Sequence, residues 1–173
     1  MAVPAGGRRL PLDRGDFDLR IARDGTWYYC GSPIGRLPLV KLFASVLRRE
    51  ADGSYWLVTP AERGRVAVDD APFFAVELTV SIEGGRQRLI FRTNLDDIVT
   101  AGPDHPLRIE TAANDEPAPY ILVRDGLEAR LARPVFYELV ELGGEELVDG
   151  VRQFGVWSDG MFFRLGDPGE DWT

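Results

Sequence analysis

The residues best placed to do chemistry stand just ahead of a predicted helix. Ser32 and Arg36 lie in the run CGSPIGRLP, after which Leu39, Leu42, Phe43, Val46 and Leu47 recur at helical spacing. Pro38 suits the first helical position, where a missing N–H costs nothing. A helix N-terminus carries unpaired N–H groups and the positive end of the dipole, so a hydroxyl and a guanidinium beside it compose an anion site. The same residues equally suit a structural turn. Gly31-Ser32-Pro33-Ile34-Gly35-Arg36 is not a phosphate-binding P-loop: the lysine and hydroxyl residue that should follow the second glycine are missing, and Pro33 removes a backbone donor.

Other side chains extend the candidate list. Trp27 and Trp157 offer faces on which a flat ligand could stack, although strand aromatics more often fill cores. Asp70 precedes Ala71-Pro72, which holds the chain extended, and its carboxylate can accept from a hydroxyl or a base edge. The pairs Asp69-Asp70 and Asp96-Asp97 do not form dyads by spacing alone, because neighbours on a strand point to opposite faces. His105 is the only histidine and Cys30 the only cysteine, so spacing supports neither Cys-His catalysis nor a His/Cys metal site. No catalytic constellation, cofactor motif or metal site is expected.

Composition narrows the function classes. The 173 residues carry a net charge of −8, which argues against a protein that coats nucleic acid. Residues 1–95 hold 14 basic and 11 acidic side chains, and residues 96–173 hold 6 and 17, so an anionic ligand is expected mainly at the N-terminal half. All but Lys41 of the 20 basic residues are arginine, which suits bidentate carboxylate or phosphate contacts as well as codon bias. No apolar run reaches the roughly 20 residues that span a bilayer, and MAVPAGGRRLPLDRGDF lacks a signal-peptide core. The expected compartment is the cytoplasm.

The elements that position these residues read as mostly strand. FDLRIA and TWYYC flank Asp24-Gly25 as a hairpin, and a helix is expected over 38–49. SYWLVT, RVAVDD, PFFAVELTVSI and RQRLIFRT read as one antiparallel meander, followed by a cap and a helical turn at Thr93–Asp97. LRIET, YILVR and LEARLA precede a second helix over 134–142, and VRQFGVWS pairs with MFFRLG across Asp159-Gly160. The expected fold is α+β: a β-rich duplicated architecture of two small antiparallel sub-domains, each with one helix. The expected division is a loose arm over 1–16, sub-domains over 17–100 and 101–166, and a tail over 167–173. The recurring order of hairpin, basic residue, proline, helix and strands motivates the duplication.

DGTWYYCGSPIGRLPLVKLFASVLRRE, YWLVTPAERGRVAVDDAPFFAVEL, PYILVRDGLEARLARPVFYELVE and VWSDGMFF together make the chain resemble the bacterial domain of unknown function 1285 family over nearly its whole length. The resemblance implies two β-rich sub-domains, the C-terminal one superficially similar to pleckstrin homology folds. It further implies a cleft between them for a small, nucleotide-like ligand, a role in signal transduction, and no established enzymatic activity.

The reading that follows is a non-enzymatic binding protein. A small anionic ligand would be held by Ser32 and Arg36, stacked on Trp27 or Trp157 and recognised by Asp70. Two alternatives stand beside it: a protein-interaction module that uses the acidic half in signalling, and a nucleotide-directed hydrolase using Asp70 with a metal.

Overall fold

The computed structural model describes residues 9–169, so the expected loose ends lie largely outside the described residues. The chain divides into two compact units, with Met1–Ala22 and Thr26–Asp69 in one and Arg23–Gly25 and Asp70–Thr173 in the other. The first unit holds β1 (Leu12–Ile21), β2 (Trp27–Tyr29), β3 (Ser32–Pro33), α1 (Leu37–Ser45), β4 (Leu47–Arg49), β5 (Tyr55–Val58) and β6 (Glu62–Val68). Its six strands lie in the order β3-β2-β1-β6-β5-β4.

The second unit begins with β7 (Phe73–Glu83), β8 (Arg86–Thr93), β9 (Ile98–Thr100), β10 (Leu107–Thr111), β11 (Pro117–Arg124) and β12 (Leu127–Leu131). These form a six-stranded sheet, β10-β11-β12-β7-β8-β9. After α2 (Arg133–Glu141), strands β13 (Gly144–Val148), β14 (Val151–Ser158) and β15 (Met161–Gly166) make a smaller antiparallel sheet.

Both large sheets follow one plan. Each joins two three-stranded antiparallel meanders through a single parallel pair, β1 with β6 and β12 with β7. In each case that pair is the first strand of the first meander and the last strand of the second. The duplication therefore lives in the sheets. The helices occupy different places in the plan, α1 between the meanders and α2 after both.

The structure corrects four expectations. The boundary falls at Asp69/Asp70 rather than near residue 100, because β7 leaves the first sheet and pairs with β12 and β8. For the same reason the expected single meander breaks between β6 and β7. The first helix ends at Ser45, and Leu47–Arg49 turn outward to pair with Tyr55–Leu57 as β4, taking Arg48 and Arg49 off the helix end. Thr93–Asp97 is a tight turn: Thr93 Oγ1 accepts from the Leu95 and Asp97 N–H groups, and Asp96 adopts a φ of 67°.

The cores are built from the strand faces that alternation marks. In the first unit Leu19, Ile21, Val66, Leu57 and Trp27 are buried with Val40 and Ala44 of α1. In the second, Phe73, Leu89, Phe91, Ile121 and Leu127 are buried, as are Val135, Phe136 and Leu139 of α2. Removing each such side chain from water contributes about 1.5–3 kcal/mol. The small sheet docks through a polar clasp. Ser158 is fully buried, accepts the Leu89 N–H at 2.9 Å and donates to the Ala101 carbonyl at 2.7 Å. Gln87 adds a bond from Nε2 to the Trp157 carbonyl and accepts the Asp159 N–H.

Candidate functional site

That docking opens a pocket of about 600 Å³ within the second unit. Three stretches converge on it: the β7–β8 turn, the junction of α2 with β13, and β14 with its following turn. The turn supplies Gly84, Gly85 and Arg86; two of these are glycines at φ 58° and 75°, a left-handed pair that a tight hairpin demands. β13 and β14 supply Gly144, Glu146, Gly155 and Trp157 on one face, because Gly144 stands opposite Gly155 and Glu146 opposite Gln153.

Glycines make the floor, for different reasons. At Gly155 an added Cβ would lie 2.2 Å from the Phe163 carbonyl oxygen, so only glycine fits. Gly144 is unlike it. Its φ is not positive, and a Cβ there meets nothing within 4 Å. A strand glycine with neither cause costs stability, and such positions mark a close approach by another backbone or by a ligand. Here the space it leaves open belongs to the pocket.

The walls supply a flat surface and opposite charges. Trp157 remains 45% exposed; its ring leans on Phe162 at 5.4 Å and 57°, and its Nε1 donates to Glu146 Oε1 at 3.1 Å, which fixes the indole plane. The Arg86 side chain enters no ion pair or hydrogen bond among the described residues, and its guanidinium lies over Gly160, 3.2 Å from where a Cβ would stand. A cation without a side-chain partner among the described residues, beside an exposed aromatic face, has the chemistry to take an anion that also carries a planar group.

The residues expected from sequence are distributed differently. Trp27 is 1% exposed, stacked on Phe43 at 6.3 Å with its indole N–H unpartnered, so it is a core residue and offers no face to a ligand. Ser32 is an exposed residue of β3, paired opposite Tyr29. Arg36 is exposed at the N-cap of α1, where its side chain makes no capping bond. Both belong to the first unit, while Asp70 and Trp157 belong to the second.

Asp70 is already occupied. Its Oδ1 accepts from the Tyr120 hydroxyl at 2.5 Å and its Oδ2 from Arg130 Nη1 at 2.9 Å. Tyr120 in turn lies under the guanidinium groups of Arg108 and Arg130, at 4.6 and 5.4 Å. Arg108 continues the network to Glu128 and Glu110, whose hydrogen bonds hold it firmly protonated. Burial, and then the bond to Asp70, push the Tyr120 hydroxyl up to about 12. The adjacent Asp69 takes Arg20 through both oxygens, at 2.6 to 3.1 Å. The two carboxylates thus anchor the crossing segment, Asp69 in the first unit and Asp70 in the second.

His105 and Cys30 play no shared part. His105 Nδ1 bonds to the Leu122 carbonyl at 2.9 Å, and Cys30 is an exposed turn residue at φ 49°. A further cavity of about 770 Å³ beside β10 and β15 is lined by Arg108 and Arg164, each already matched to a carboxylate. It presents no spare positive charge.

Of the residues that line this pocket, sequence reasoning named Trp157 and did not name Arg86, Gly144 or Glu146. Gly84-Gly85 and Gly143-Gly144 were legible as a turn and a helix stop, but nothing local shows that they meet.

Comparison with known proteins agrees with this architecture. Residues 8–71 match the model of the DUF1285 N-terminal domain, a domain of unknown function, and residues 72–165 match the DUF1285 C-terminal domain. The two matches meet within two residues of the structural division. A DUF1285 family protein from Silicibacter pomeroyi DSS-3 is 48% identical, with a TM-score of 0.82 over 91% of this chain and 84% of that one. Another from Shewanella baltica OS155 is 26% identical, with a TM-score of 0.57 over 72% of this chain and 91% of that one. A search of curated proteins finds no match. With both domain models matched end to end along the two structural units, the chain belongs to the DUF1285 family, whose function is unknown.

Proposed function

We propose that the second unit is a binding module for a small anion bearing a flat group, of which nucleotide-like metabolites are one class, and that it acts as a non-enzymatic sensor in signal transduction. The supporting observation is the conjunction of Arg86, whose side chain has no partner among the described residues, and a half-exposed Trp157 over the open space at Gly144. In this reading the ring stacks on the indole and the guanidinium takes the anionic group. The free oxygen of Glu146 accepts a donor from the ring. No helix of the described chain is long and apolar enough to cross a membrane, and the cytoplasm supplies metabolites of this kind.

The test is a thermal-shift and tryptophan-fluorescence titration with AMP, GMP, cyclic AMP, cyclic dinucleotides and inorganic phosphate. A ligand at 100 times its dissociation constant stabilises the folded state by about 2.7 kcal/mol. The expected result is a shift with at least one probe that Arg86→Ala and Gly144→Val abolish and Arg36→Ala leaves intact. Loss of the shift on Arg36→Ala, with Arg86→Ala unaffected, places the site at α1 instead. No shift with any probe refutes the reading.

A further inference from the structure

One strand of the second unit is left half paired. β7 runs from Phe73 to Glu83, yet β12 pairs with it only at Phe73, Phe74 and Ala75. The Ala132 N–H closes that ladder on the Ala75 carbonyl, and the chain then leaves as α2. From Val76 onward no described strand lies on that side of β7, while β8 pairs with the other side through Glu83.

Proteins protect such edges with lysine, proline, bulges, inward charges or a covering helix or loop. α2 packs against β7 and starts where the β12 ladder ends at Ala75, and beyond that point this edge carries few of the other devices. Val76–Ile82 contains no lysine, arginine or proline, and its one bulge lies at Val76, the end nearest β12. Val76, Leu78, Val80 and Ile82 alternate on one face, with Ile82 71% exposed. The acidic residues are neutralised from β8: Glu77 by Arg92 at 3.0 Å and Glu83 by Arg88 at 2.8 Å.

We infer that this edge pairs with the same edge of a second copy, antiparallel about a two-fold axis through Thr79. In that register Val76 stands opposite Ile82 of the second copy, and Leu78 opposite Val80. Glu77 meets Ser81, so no like charges face each other, whereas an axis through Val80 would set Glu77 against Glu83. A two-fold interface must be self-complementary, and this segment is so in both apolar pattern and charge. The product is a four-stranded ribbon, β8-β7 of one copy continued by β7-β8 of the other. A heterologous peptide strand has no such match to explain the pattern.

Two variants at the axis test it in the full chain. Thr79 is exposed and faces away from the apolar row, so changing it leaves the unit folded. Sedimentation equilibrium at 10–500 μM, on the order of typical weak dimers, is expected to give a dimer for the native chain, and Thr79→Lys, which sets two ammonium groups against each other, raises the dissociation constant about 100-fold. Thr79→Cys combined with Cys30→Ser should form a disulfide dimer on mild oxidation, and Cys30→Ser alone should not. A native chain that stays monomeric overturns the inference, as does a dimer that survives Thr79→Lys or one that fails to cross-link when Thr79→Cys is introduced. If another protein strand occupies the edge, the purified chain will be the monomer of the first of these outcomes.

Discussion

Replacing Tyr120 by Phe deletes one oxygen and tests whether Asp70 is a structural anchor or a ligand contact. The hydroxyl donates to Asp70 Oδ1 at 2.5 Å, and the Asp70 side chain is 14% exposed, so water cannot easily replace the lost donor. A hydrogen bond to a charged group contributes about 1.5–3 kcal/mol. Arg130 stays in place at 2.9 Å, and the ring keeps its cation–π contacts with Arg108 and Arg130, which points to the lower half of that range. For a chain of this size, 1 kcal/mol moves the melting temperature by roughly 2–4 °C, so Tyr120→Phe should lower it by roughly 3–9 °C. Calorimetry measures this, and titration with the nucleotide panel should show unchanged binding. The pH dependence supplies a second reading. The Tyr120 pKa is raised in the folded state, so its contribution is complete below about 10 and is lost as pH rises toward about 12. The gap between native chain and variant should therefore close across that window. A loss under about 0.5 kcal/mol, or a gap that persists at high pH, refutes the anchoring argument.

Two further substitutions follow from the docking of the small sheet. Ser158→Ala strands a buried N–H at Leu89 and a carbonyl at Ala101, and should cost about 2–4 kcal/mol in urea unfolding, whereas Ser158→Thr adds a methyl to a fully buried site and should not recover it. Gly155→Ala drives a Cβ into the Phe163 carbonyl and should destabilise the small sheet by several kcal/mol, seen as lost amide protection in β14 and β15; Gly144→Ala, across the ladder, enters open space and should leave protection unchanged.

How far these features were legible from sequence depends on the range of the interaction that makes them. Hairpins at Asp24-Gly25, Asp125-Gly126 and Asp159-Gly160 were legible because left-handed turn residues and flanking alternation lie within ten residues of each other. Both helices were legible in place, since proline at the start and the apolar period are local signals, although the outward turn of Leu47 to pair with Leu57 shortened the first. The division at Asp69/Asp70 was not legible. β6 and β7 carry the same alternation, and only the distant partner β12 determines that β7 joins another sheet. The charge shift near residue 95 gave no help, because residues 70–95 hold three basic and three acidic side chains, so a division at either end of that stretch gives the same balance.

The same logic separates the two tryptophans. Trp27 and Trp157 both sit on strands in aromatic company, and sequence gives no ground for preferring one. What separates them is the residue on the neighbouring strand and the element above it. Trp27 lies under α1, whose Phe43 closes its face. Trp157 faces the strand carrying Gly144 and Glu146, where the absent side chain leaves its ring open and the carboxylate fixes its plane. The open aromatic surface here is made by what one strand withholds from its neighbour. Arg86 becomes part of it because the β7–β8 turn, closed by two glycines, lays the guanidinium over Gly160, a third glycine on which no Cβ obstructs it.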